Sequence, residues 1–117
     1  MTLVYIAGAL SAPLPGLIQR NIAAAEAAGI EVAKLGAMPV VPHSMTANLA
    51  SAQPEPFWLE GTRELLRRCD AIYVFNARHL QESAGTRGEV AEAQRLGLPV
   101  FHNFDELAAW LSGKAAA

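Results

Sequence analysis

Short runs of consecutive apolar residues recur along the chain, and longer stretches with helical spacing lie between them. A run with no polar alternation is typical of a strand buried on both faces, as in a parallel sheet. The predicted strands are Leu3–Ala7, Met38–Pro42, Ala71–Phe75 and Leu98–Phe101. The predicted helices cover residues 17–35, 56–69, 86–97 and 103–111. This alternation predicts an α/β domain with a parallel sheet of four to five strands.

The segments that follow the predicted strands are where a ligand is expected, because open parallel sheets bind ligands beyond the carboxyl ends of their strands. Those ends lead into residues 8–16, 43–55, 76–85 and 102–103. Residues 43–55 show no period and are predicted to form a long loop, as are residues 76–85. Residues 1–113 are expected to form one domain, followed by a frayed tail at 114–117.

The composition narrows the class of protein. Of the 117 residues, 52% are hydrophobic and 17% are charged, as in a globular domain. The net charge of −2 gives no general attraction for a nucleic acid polymer or a membrane surface. No apolar run is long enough to span a bilayer, and we expect no signal peptide. The single cysteine, Cys69, suits a reducing compartment, so a cytoplasmic location is expected.

The sequence predicts neither a cofactor nor a metal site. Its histidines, cysteine and carboxylates show no metal-ligand spacing. The run GALSAPLPG after the first strand does not match the dinucleotide fingerprint G-x-G-x-x-G, which argues against a nicotinamide cofactor. The run SAGTRGE lacks the Gly-Lys-Ser/Thr of a P-loop.

Glu89 is the candidate catalytic residue. It is expected in the first turn of the helix over residues 86–97, where the helix N-terminus would favour its ionised form. A poorly hydrated carboxylate is suited to attack a sugar anomeric carbon or to stabilise an oxocarbenium-like transition state. The alternative is purely structural, because Thr86-x-x-Glu89 also matches a capping box.

The loop before this helix is a candidate phosphate site. The hydroxyls and amides of Ser83, Gly85 and Thr86 are suited to cradle a phosphate, and Arg87 adds positive charge. The alternative is an ordinary Ser/Gly turn that leads into a capped helix.

Three further residues are candidates for substrate binding. Gly8 ends the first strand, where the backbone can approach a ligand closely. Tyr5 belongs either to the core or to the pocket. His43 follows the second strand and either binds a base or phosphate or is a half-exposed loop histidine.

Several segments together resemble the nucleoside 2-deoxyribosyltransferase-like superfamily, and most closely a branch of unknown function (DUF4406). They are YIAG near the start, Asn21, PVVPH, FWLEGTRELLRRCDAIYVF and SAGTRGEVAEAQRLGLPVF. The resemblance implies a flavodoxin-like three-layer fold and cleavage of an N-glycosidic bond with Glu89 as nucleophile. The glycosyl group would then pass to water or to another base. It also implies a nucleoside or nucleotide ligand and a homodimer or homotetramer.

Two positions bear on the activity that this resemblance implies. The transferases carry an aspartate at the position of Ser83, whereas the related nucleoside 5′-monophosphate N-hydrolases carry a serine that contacts the phosphate. Both activities use an aspartate at the position of Thr62. The serine favours a nucleotide substrate and hydrolysis. The threonine keeps open an alternative, a non-catalytic module that binds or senses a nucleotide.

Overall fold

The computed structural model describes residues 1–10 and 15–116 and has a parallel sheet at its centre. The strands are β1 (Leu3–Ala7), β2 (Met38–Val40), β3 (Ala71–Val74) and β4 (Val100–Phe101), in the order β2-β1-β3-β4. All neighbouring pairs are parallel. The predicted loop at 8–16 and the predicted tail at 114–117 each lie partly outside the described residues.

Helices cover both faces of the sheet and complete a three-layer, flavodoxin-like α/β fold. They are α1 (Pro15–Lys34), α2 (Pro42–Ala47), α3 (Glu55–Arg67), α4 (Arg78–Glu82), α5 (Ala84–Arg95) and α6 (Phe104–Ala116). Within residues 1–10 and 15–116, no helix combines the length and apolar character that crossing a membrane requires.

The two faces of β1 divide the core between the outer layers. Val4 and Ile6 pack in one cluster with residues of α1 and α6. Tyr5 and Ala7 pack in the other cluster with residues of α3 and α5. Because successive strand residues point to opposite faces, this alternation places Tyr5 among the helices that follow β2 and β3.

The predicted loops at 43–55 and 76–85 are wrong in part, because both contain short helices. The first contains most of α2 and a 3₁₀ turn over Ala50–Ala52. In α2, Pro42 occupies the first turn, and the Thr46 hydroxyl donates to the Pro42 carbonyl at 3.1 Å. The second contains α4 and the beginning of α5. Helices this short show no hydrophobic period. The last helix continues to Ala116, beyond its predicted end.

Candidate functional site

The candidate residues gather near the carboxyl ends of β1 and β3. From β1 the chain crosses to β2 on one side, and from β3 it crosses to β4 on the other. In doubly wound sheets, the usual ligand site lies at such a reversal, beyond the carboxyl ends of the two central strands.

At the centre of this region, Tyr5 and Glu89 form a side-chain pair. Tyr5 is fully buried, and its hydroxyl donates to Glu89 Oε2. Glu89 lies on α5 and is partly buried. Tyr5 therefore belongs to the core and also contacts the candidate catalytic carboxylate, so the two interpretations of its role are compatible.

Burial controls the ionisation of this pair. Burial raises the pKa of Glu89 to about 7, although the hydrogen bond from Tyr5 acts in the opposite direction. Burial and the adjacent carboxylate raise the pKa of Tyr5 far above its usual range. Tyr5 therefore keeps its proton and remains a donor, while Glu89 exchanges a proton near neutral pH.

The predicted first-turn position of Glu89 is wrong, and its surroundings raise its pKa rather than favouring the ionised form. Helix α5 begins at Ala84 and is capped by Ser83, so Glu89 falls in the second turn and Thr86-x-x-Glu89 is not the capping box. The helix N-terminus acts mainly within the first turn, and desolvation of the carboxylate outweighs it here.

Thr62 of α3 lies beside the same pair. Its hydroxyl donates to the Leu59 carbonyl at 3.2 Å, and its proximity lowers the pKa of Tyr5 against the larger upward effects of burial and Glu89. Glu60 lies elsewhere, on an exposed surface of α3 with Arg63 and Arg67. The residue beside the Tyr5 hydroxyl is thus the neutral Thr62. Glu60 does not supply the carboxylate that the resemblance implies at this position.

The segment proposed for phosphate binding makes several contacts within the protein. Ser83 Oγ accepts from the Thr86 amide at 3.1 Å and contacts Thr86 Oγ1 at 3.0 Å. Thr86 is fully buried. The Arg87 guanidinium donates to the carbonyls of Leu80 and Gln81, both at 2.9 Å. Thr86 and Arg87 therefore stabilise the junction between α4 and α5.

Gly85 retains access to a ligand. It is exposed, and among residues 1–10 and 15–116 a Cβ at this position would meet only Ser83 Oγ, at 3.7 Å. Since the first amides of a helix have no intrahelical partner, those of Ala84 and Gly85 are the groups best placed to receive an anion.

Two buried histidines hold the backbone after β1. His43 Nε2 lies 3.0 Å from the Gly8 carbonyl oxygen and 3.1 Å from that of Ala9. His79 Nδ1 accepts from the Ala9 amide at 3.1 Å. The interpretation of His43 as a half-exposed loop residue is wrong, because His43 lies in α2 and is 5% exposed.

His79 was not among the predicted site residues. Its contact with Ala9 spans 70 positions of sequence, and its helix has no periodic pattern that would reveal an inward face. The residue could have been suspected only from its place after a buried strand. Within residues 1–10 and 15–116, no group of three or more histidines, cysteines or carboxylates is arranged to hold a metal ion.

Comparison with known proteins yields one family. No curated protein matches the chain significantly. A family model described as "Domain of unknown function (DUF7768)" matches residues 2–103, which include all four strands and every candidate site residue. The description carries no activity. The chain belongs to this family, the domain of unknown function DUF7768.

Proposed function

We propose that this protein cleaves the N-glycosidic bond of a nucleoside or nucleoside 5′-monophosphate, with Glu89 as the nucleophile. The observation that carries the proposal is the Tyr5–Glu89 pair near the carboxyl ends of the central strands. A partly buried carboxylate held by a neutral donor is suited to form a covalent glycosyl ester. The ligand would be a small molecule, and the protein would act as a cytoplasmic homodimer or homotetramer.

In this mechanism, ionised Glu89 attacks the anomeric carbon while the bond from that carbon to the base nitrogen breaks. The bonding electrons leave with the base, which takes a proton from solvent. Water then attacks the same carbon and gives up a proton to solvent, the bond from that carbon to the Glu89 oxygen breaks, and the free sugar leaves as the Glu89 carboxylate is regenerated. If a second base replaces water, the reaction is a transfer. Tyr5 fixes the orientation of the carboxylate throughout.

A 5′-phosphate would lie at the start of α5. It would accept hydrogen bonds from the amides of Ala84 and Gly85 and from the Ser83 hydroxyl. Thr86 and Arg87 would stabilise this segment through their contacts within the protein. Gly8 and His43 would shape the opposite wall of the site.

A second candidate function is binding of a nucleotide without turnover. Thr62 favours it, because this residue places a hydroxyl near Tyr5 where a carboxylate would assist a leaving base. Binding alone would stabilise the folded state in proportion to ligand concentration, with no base released.

The test is base release from a panel of ribo- and deoxyribonucleosides and their 5′-monophosphates, followed by chromatography. We expect Glu89→Gln to lower the rate by about a hundredfold or more, because the amide cannot act as nucleophile. Glu31→Gln is the matched control, since Glu31 is an exposed residue of α1 on the other side of the sheet. Thermal stabilisation by a panel member without base release would favour the binding module. An equal rate in Glu89→Gln would exclude Glu89 as nucleophile.

A further inference from the structure

His43 and His79 contact one short backbone segment from two separate elements. His43 belongs to α2, which follows β2, and His79 belongs to α4, which follows β3. One histidine contacts the carbonyl oxygens of Gly8 and Ala9, and the other accepts from the Ala9 amide. Two carbonyl oxygens and one amide of the backbone that leaves β1 thus each contact a histidine side chain.

These contacts fix the protonation of each ring. His79 Nδ1 accepts from an amide, so it carries no proton. His43 Nε2 faces two carbonyl oxygens, so it must carry a proton. His43 Nδ1 is buried and has no hydrogen-bond partner within the described residues. Each ring is therefore neutral and in one tautomer.

Steric contact holds the same segment from a third direction. A Cβ at Gly8 would lie 2.5 Å from the Phe75 ring and 2.9 Å from His79 Nδ1. The Phe75 and His79 rings meet edge to face, with centroids 5.3 Å apart. The backbone at Gly8 therefore packs directly against both rings, with no room for displacement toward them.

We propose that His43 and His79 are positioning residues that hold the Gly8–Ala9 backbone as a wall of the ligand site, and that protonation of His79 releases this wall. The proposal rests on the proposed function in assigning the wall to a nucleoside or nucleotide ligand. The hold on the backbone itself follows from the contacts and can be tested without a ligand.

The two histidines respond differently to acid. A proton on His79 Nδ1 would oppose the Ala9 amide with a second donor, so this bond is lost. A proton on His43 would enter at Nδ1 and leave its Nε2 donor in place. His79 is therefore the residue whose titration opens the segment.

The groups around each histidine determine the pH at which the wall is released. Burial lowers the pKa of His79, while Glu82 on the same helix opposes that shift. Burial also lowers the pKa of His43, and His79 lowers it further, whereas the Gly8 and Ala9 carbonyls act in the other direction. Phe75, packed against His79 from the end of β3, is uncharged. Both rings are neutral at pH 7, and the wall is released below the ordinary histidine pKa.

The experiment measures the hydrogen-exchange protection of the Ala9 amide by NMR in the ligand-free full chain. His79→Asn retains an acceptor near Nδ1 but cannot titrate, and His79→Leu removes the acceptor. We expect wild-type protection to fall about tenfold from pH 7 to pH 5, as for the loss of one buried hydrogen bond. His79→Asn should stay protected at both pH values, and His79→Leu should show the lowered protection at both. His102→Asn, which changes an exposed histidine, should behave as wild type.

Two results would overturn the proposal. One is equal Ala9 protection in His79→Leu and wild type at pH 7, and the other is the same acid-induced fall in His79→Asn. Neither depends on turnover, so they are separate from a failure of Glu89→Gln to lower base release. If base release is found, His79→Leu should raise KM more than it lowers kcat, and His79→Asn should restore KM.

Discussion

At the scale of single residues, the Tyr5 hydroxyl and burial have opposite effects on the ionisation of Glu89. Burial is the larger influence and raises the pKa of Glu89 to about 7, and the hydrogen bond from Tyr5 reduces that rise. A nucleophile must be ionised, so the proposed reaction should accelerate as pH rises through about 7 and level off above it.

Tyr5→Phe should move that pH profile to higher pH. The variant removes the one hydrogen bond that favours the ionised carboxylate and leaves the buried ring in place. A base-release profile or an NMR titration of the Glu89 carboxyl would show the shift. Tyr73→Phe is the control, because Tyr73 packs on the other face of the sheet. A Tyr5→Phe midpoint equal to that of wild type would show that the hydroxyl does not tune Glu89.

Residue identity was easier to predict than residue environment. The sequence offers Glu89 and Tyr5 as candidates from their residue types and from their positions in a helix and a strand of the predicted sheet. The raised pKa of Glu89 could not be predicted, because it depends on how far the folded chain removes this carboxylate from water. The contact of His79 with Ala9 was equally hidden, since it joins two segments that are distant in sequence.

At the scale of elements, the start of α5 is defined by one serine. Ser83 Oγ accepts from the Thr86 amide and closes the first turn. The sequence predicted a start two residues later, because Thr86-x-x-Glu89 imitates a capping box. The four strands were predicted in the right places, since an apolar run such as Ala71–Phe75 is too short for a buried helix and too apolar for a surface loop. The second strand, however, ends at Val40, and Pro42 begins α2. Short helices such as α2 and α4 were missed, because they depend on local hydrogen bonds and prolines rather than on a period.

Ser83→Ala should destabilise the folded protein by about 1 kcal/mol, the usual cost of losing a helix N-cap. Urea unfolding followed by circular dichroism would measure it. Ser112→Ala is the matched control, because Ser112 is an exposed residue of α6. The cap assignment would have to be abandoned if the two variants were equally stable.

Helices α3 and α5, which carry Thr62 and Glu89, are also joined by a salt bridge. Arg67 near the end of α3 pairs with Glu92 of α5 at 3.2 Å, and Glu92 also pairs with Arg95 at 2.6 Å. These partners hold the pKa of Glu92 down at about 2, mainly through the hydrogen bond from Arg95. The bridge lies on the same side of the sheet as the candidate site, and it supports the relative placement of the two helices.

At the scale of the whole molecule, ionisation of the candidate side chains makes the stability of the folded protein depend on pH. Glu89 has a folded-state pKa above its unfolded value, so the folded state binds the extra proton and loses stability as pH rises from about 4.5 to about 7. His43 and His79 have lowered pKa values, so their contribution is lost as pH falls below 6.5.

Glu89→Gln should therefore gain stability relative to wild type as pH rises through this window. The glutamine cannot ionise, so it avoids the cost of a buried charge. Thermal unfolding at several pH values from 4 to 8 would show a difference in Tm that grows up to about pH 7 and then remains constant. A difference independent of pH would mean that the Glu89 carboxyl has an ordinary pKa in the folded protein.

The absence of a Cβ at Gly8 has a consequence for the history of this family. A Cβ there would lie 2.5 Å from the Phe75 ring and 2.9 Å from His79 Nδ1, and these two rings also contact each other. The three positions can therefore change only in concert, so that a relative with alanine at the first should carry smaller side chains at the other two. Unless its residue 79 were a smaller acceptor such as asparagine, such a relative would also lack a side-chain partner for the amide that Ala9 supplies here.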